Sequence, residues 1–320
     1  MTLAVVQDIS FIKVIVLAII QGLAELLPVS SSAHVIVAEK LMGIDPSSPD
    51  ATLLLVMLHT GTMFAVIVYF WKAWQKAFFS SMEQFKESAI RIIVATVVTG
   101  VIGLGLKKVI EEILKHQNKG MGKAELEQLF KHLNIVSIAL FAAGVLILLA
   151  GLKKKRPQEA HKAAPQQAAN SNTLNYETTP MGGERENVTM TDAIVIGATQ
   201  GLCLPFRGFS RSGATISVGL LRNLARIRSE EYSFALAVVL TPPVIGYEVL
   251  RLFKHAKEAG EKVAFTHFTP SLIGMVASFL AGLVALKILS KLLEHGRWWV
   301  FGIYCMIFAT IVMVMHIQGY

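Results

Sequence analysis

The chain has 320 residues, of which 53% are hydrophobic and only 16% charged, with a formal net charge of +8. Ordinary soluble domains carry about 25% charged residues, so too little charge is available here to solvate a globule of this size. The basic residues gather at the ends of apolar runs and form no aromatic-interleaved patch, which excludes a nucleic-acid partner and reads as a membrane orientation signal.

In chain order, the first apolar stretch, 9–42, is broken by Pro28 and then Ser30, Ser31 and Ser32. Crossing the ~30 Å of bilayer hydrocarbon takes about 20 residues, and neither half is that long, so the segment predicts a re-entrant helical hairpin. Asp8 precedes it and no small-residue cleavage pattern follows, so it is read as part of the fold rather than as a signal peptide. Apolar runs near 51–70, 88–106 and 134–152 predict spanning helices. Residues 153–189 open with Lys153, Lys154, Lys155 and Arg156 and continue through Pro157, Gln166, Gln167 and Asn170, the composition of a disordered cytoplasmic linker. A second broken stretch, 190–225, carries Pro205, Gly208, Ser210 and Ser212 at its break and predicts another hairpin. Spans near 231–250, 268–288 and 297–318 complete the chain.

Lys72 and Lys76, Arg222, Arg226 and Arg228, and Lys287, Lys291 and Arg297 mark cytoplasmic ends. The three spans of 1–152 then run opposite to the three of 190–320. The expected fold is an all-α polytopic membrane protein with six transmembrane helices and two re-entrant hairpins, arranged as inverted-topology repeats. An internal repeat supports it: Gln21-Gly22-Leu23 recurs as Gln200-Gly201-Leu202, and Ser30-Ser31-Ser32-Ala33 aligns with Ser210-Arg211-Ser212-Gly213 after one inserted residue. Broken helices in inverted repeats place a site near the midplane, because only a protein-lined cavity tolerates irregular backbone at that depth.

The chemistry is concentrated at those breaks. Serines beginning a helix are cap candidates, and a helix start attracts anions. Arg211 can grip phosphate oxygens two at a time, and an arginine at this depth costs about 2.5–3.5 kcal/mol, which calls for a functional partner. Glu25 lies one helical turn beyond Gln21, on the same face, as a proton acceptor or cation ligand. His34 follows Ser30 by four residues. His59 and Glu248 stand alone in apolar spans and read as structural or supporting. Together these groups supply a nucleophile, a proton carrier and charge stabilisation for phosphoryl transfer. No Walker-type loop or cysteine cluster is present, and Cys203 and Cys305 read as small buried hydrophobes.

The runs Gln21-Gly22-Leu23-Ala24-Glu25-Leu26-Leu27-Pro28-Val29-Ser30-Ser31-Ser32-Ala33-His34 and Gly208-Phe209-Ser210-Arg211-Ser212-Gly213-Ala214-Thr215 resemble the bacitracin-resistance family of undecaprenyl-diphosphate phosphatases. That resemblance implies hydrolysis of undecaprenyl diphosphate to undecaprenyl phosphate, recycling a carrier lipid for peptidoglycan synthesis. It implies a multi-pass protein of the bacterial inner membrane whose site opens to the outer, periplasmic face. It also implies catalytic roles for Glu25, Ser31, His34 and Arg211, a phosphate cradle of Ser30, Ser32, Ser210, Ser212 and Thr215, and a divalent cation, Mg²⁺ or Ca²⁺, near Glu25 and Gln21. Either Ser31 or His34 could be the nucleophile, and a homodimer is left open. The rival reading is a lipid or anion transporter, the usual use of inverted repeats.

Overall fold

The computed structural model describes residues 9–45, 49–117, 132–153, 184–259 and 268–319. Ten helices form among them: α1 (Phe11–Leu26), α2 (Ser31–Leu41), α3 (Pro49–Phe78), α4 (Met82–Gln117), α5 (Leu133–Lys153), α6 (Met190–Cys203), α7 (Arg211–Leu221), α8 (Arg226–Ala259), α9 (Phe268–Glu294) and α10 (Trp299–Ile317). Within α3, α4, α5, α9 and α10 lie five stretches long and apolar enough to cross a membrane. They cover five of the six expected spans. The sixth, 231–250, falls in α8, which carries Pro242 and Pro243 in its interior and is not among those five. Aliphatic side chains left outside the fold, such as Ile93, Val97, Val101 and Leu104 on α4 and Ile303, Ile307 and Ile311 on α10, face the surroundings at helical spacing, as lipid contact requires.

Both expected breaks form, the first of them at its proline. Leu27, ahead of Pro28, is extended (φ −77°, ψ 148°), which ends α1, since the ring of a proline disfavours helix in the residue before it. Ser30 then caps α2 by accepting from the Ala33 amide, as Ser210 caps α7 by accepting from the Gly213 amide.

The repeated motifs pack by one rule. α1 lies along α9, and its counterpart α6 lies along α4. Each crossing is set by the repeated glycine. A Cβ on Gly22 would sit 2.6 Å from the Ser278 carbonyl oxygen of α9, and one on Gly201 would sit 2.9 Å from the Thr99 carbonyl oxygen of α4. Small residues permit this close approach, which membrane helices use because the hydrophobic effect does not drive them together in lipid. α5 and α10 pair with each other, Ser137 donating to the Ala309 carbonyl. The main core takes in Val29 and Ala33 from the first break together with Val136, Leu140, Ile147, Leu286 and Phe301.

Most of the segment expected as linker, 154–183, lies outside the described residues, but its last residues are tied down. Arg185 bridges to Leu224 between α7 and α8, and its guanidinium, together with that of Arg222, clasps Asp192 in the first turn of α6. Asp192 is completely buried. Burial opposes its ionisation, but hydrogen bonds from Arg185, Thr189 and Arg222 outweigh that penalty and hold the carboxyl well below the usual carboxylate range. A depressed carboxylate stabilises the fold above its unfolded pKa, and that contribution is lost as pH falls through the folded value. Asp192→Asn is therefore expected to cost about 3 kcal/mol at pH 7. Thermal melts in detergent should show the wild-type advantage at pH 7 and its shrinkage in strong acid.

Candidate active site

The two capped helix starts bring their equivalent positions to one carboxylate. Ser31, first residue of α2, donates its hydroxyl to Oε2 of Glu25 at 2.5 Å. Arg211, first residue of α7 and the counterpart of Ser31 in the repeat, donates from Nη2 to Oε1 of the same side chain at 2.7 Å. Gln21, one turn before Glu25, donates its amide to Oε2 at 3.1 Å. A hydroxyl hydrogen-bonded to a largely buried carboxylate is a nucleophile with its base in place, while the guanidinium supplies the positive charge that phosphate oxygens need.

The cluster opens into a small cavity. Its lining combines polar side chains, Glu25, His59, Thr62, Arg211, Ser212, Ser233 and Thr241, with apolar ones, among them Leu26, Met63, Val66, Phe234 and Val238. A lining of both kinds suits an amphiphile whose charged head reacts while its hydrocarbon stays in lipid.

The remaining expected residues divide by position. Ser30 and Ser210 are buried and spend their hydroxyls on caps. Ser30 also holds φ 67°, a left-handed conformation costly for a residue with a side chain, immediately before Ser31. Ser32 joins the two breaks by accepting from the Gly208 amide at 3.1 Å. Gly208 has φ 101°, and a Cβ there would meet the Val136 carbonyl oxygen at 2.4 Å, so only glycine fits. Ser212 lines the cavity, whereas Thr215 turns inward: its hydroxyl bonds the Arg211 carbonyl at 2.9 Å and Ser233, anchoring the start of α7. His34 has other partners than Glu25. Its Nδ1 meets the Ser30 carbonyl at 2.8 Å, its Nε2 meets the Tyr304 hydroxyl at 2.8 Å, and its ring stacks on Phe308. A carbonyl only accepts, so Nδ1 carries the proton and Nε2 accepts from Tyr304.

His59, read from sequence as structural or supporting, stands in the cavity wall with Nε2 3.6 Å from Oε2 of Glu25. Its signal was present, since an ionisable side chain within a spanning segment marks a functional site by default. The side chain of Glu248 lies outside the described residues.

Residues 14–311 match the family model described as bacitracin resistance protein BacA. The chain belongs to this family. Undecaprenyl-diphosphatase 2 of Acinetobacter baylyi is 49% identical over 307 residues, 95% of this chain and 97% of that protein. The undecaprenyl-diphosphatases of Parabacteroides distasonis and Bacteroides fragilis are 28% and 29% identical, each over more than nine-tenths of both chains. The BacA match spans both breaks and all ten helices except a few residues at either end, so Glu25, Ser31 and Arg211 all fall inside it.

Proposed function

We infer that this chain is an integral membrane hydrolase that converts undecaprenyl diphosphate to undecaprenyl phosphate and inorganic phosphate. By returning the carrier lipid to cell-wall synthesis, that reaction confers bacitracin resistance. The observation that carries the reading is the meeting of Ser31 and Arg211, from opposite halves of the chain, on the two oxygens of Glu25. A transporter would bind phosphate without needing a hydroxyl poised on a base.

In the reaction, Ser31 Oγ attacks the terminal phosphorus as Glu25 takes its proton. The bond from phosphorus to the bridging oxygen breaks with its electron pair, and the departing lipid monophosphate carries the proton away. Arg211 and the amides at the start of α7 hold the charge that develops on the phosphoryl oxygens. Water then releases phosphate from Ser31. His34 has the role of fixing the Ser30 carbonyl, and with it the backbone that aims Ser31, because both its nitrogens are engaged by Ser30 and Tyr304.

A divalent cation, Mg²⁺ or Ca²⁺, belongs to this reading, with Glu25 and Gln21 as its protein ligands. The donor set fits a hard cation, since Gln21 Oε1 is buried without a hydrogen-bond partner beside the Glu25 carboxylate. Among the described residues no group of three or more His, Cys, Asp or Glu side chains surrounds it, so substrate oxygens would complete the shell. When bound, the cation neutralises part of the diphosphate charge.

Basic residues support an orientation with the site open to the outer face of the inner membrane. Lys153 donates to the Leu221 carbonyl, and Arg226 to the carbonyls of Leu293 and Glu294, gathering the ends of α5, α7 and α9 and the start of α8 into one positive end, the cytoplasmic one. Phosphate release from undecaprenyl diphosphate by the purified chain, with and without Mg²⁺ or Ca²⁺, tests the reading. Release with a cation is expected, and none under any cation would return the chain to the transporter class.

A further inference from the structure

His59 has a fixed orientation that the first half of the reaction does not use. Its Nδ1 lies 2.8 Å from the Leu55 carbonyl oxygen, so Nδ1 bears the proton of the neutral ring and Nε2 presents a lone pair to the cavity. Two further contacts fix the backbone that carries it. The Thr62 hydroxyl bonds the His59 carbonyl at 2.9 Å, and α3 is seated on α9 so closely that a Cβ on Gly61 would lie 2.2 Å from the Met275 carbonyl oxygen. Nε2 and Glu25 Oε2 are thus two preset acceptors, 3.6 Å apart, on one wall of the cavity. That gap is too long for a direct hydrogen bond, and a water at ordinary hydrogen-bond distance from each can span it with its two O–H groups.

We propose that His59 positions the water that hydrolyses the phosphorylated Ser31. This rests on Ser31 being the nucleophile. Once Oγ is bonded to phosphorus, it no longer donates to Oε2, and that oxygen is open to a water. The water directs one O–H to Oε2 and the other to His59 Nε2, which leaves its lone pair toward phosphorus. The water oxygen bonds to phosphorus as the Oγ–P bond breaks, its electron pair remaining on Oγ. The proton facing Glu25 passes through Oε2 to Oγ and restores the serine. The proton facing His59 stays on the released hydrogen phosphate. His59 orients the water and removes no proton, so it is a positioning residue.

The test uses the full chain in detergent with undecaprenyl diphosphate labelled on the terminal phosphorus. His59→Leu keeps the bulk and removes the acceptor. It is expected to give a burst of undecaprenyl phosphate equal to the enzyme, then turnover slowed about 10²-fold, with label trapped on the protein. His59→Gln, whose amide oxygen can accept from the same water, is expected to recover most of that loss. A purely structural role would slow burst and turnover together, with no trapped label, and that result would overturn the proposal, as would wild-type turnover in His59→Leu. Should His59→Leu fail to fold, His59→Asn, whose shorter side chain holds its oxygen back from the water, carries the same expectations. Turnover retained in Ser31→Ala would instead remove the covalent reading itself.

Discussion

Ser31→Ala is expected to lower phosphate release by about 10⁴- to 10⁶-fold, the loss seen when a member of a nucleophile–base unit is removed, with little change in stability. The hydroxyl is the group of Ser31 that reaches Glu25, and its removal leaves Oε2 still held by Gln21 while Oε1 keeps Arg211. The carboxylate therefore stays paired, and the start of α2 stays capped through Ser30. The measurement is a single-turnover assay on undecaprenyl diphosphate beside a thermal melt. A loss below tenfold with an intact melt would sink Ser31 as nucleophile and turn attention to direct attack by water.

Arg211→Ala is expected to fail on two counts. The guanidinium lines the cavity, and removing such a group from a phosphoryl-transfer site costs about 10³- to 10⁵-fold in rate. It also pairs with Glu25, whose side chain is only 12% exposed, so the variant leaves a largely buried carboxylate short of its cation and is expected to lose about 3 kcal/mol or more of stability. Arg211→Lys separates the two effects. A lysine restores a charge near Glu25, and hence most of the melting temperature, but cannot hold two phosphate oxygens in a fork. KM and kcat should both remain impaired in Arg211→Lys. A fully active lysine variant would show that charge alone suffices.

The motifs at 21–34 and 208–215 make the candidate site legible because its chemistry is local: a proline ends one helix, a serine caps the next, and the first residue of the new helix faces inward. The repeat shows in Gln21-Gly22 and Gln200-Gly201 because the same close crossing is needed twice, and only glycine permits it. His34 reads as catalytic beside the serines, yet its position is set by Tyr304, 270 residues away. Thr215 reads as a phosphate ligand, yet a β-branched hydroxyl within a helix readily bonds the carbonyl one turn back, as this one does with Arg211.

By itself, then, the sequence determines what short-range physics controls. That covers the apolar lengths that demand a membrane, the breaks, the caps and the residue types fit for phosphoryl transfer. Tertiary structure alone decides which helices cross, that Ser31 and Arg211 divide the two oxygens of Glu25 between them, and that His59 joins the cavity. These contacts link residues far apart in the chain, 186 positions in the case of Arg211 and Glu25. They are selected by packing of small residues against distant backbone, which no local pattern of hydrophobicity encodes.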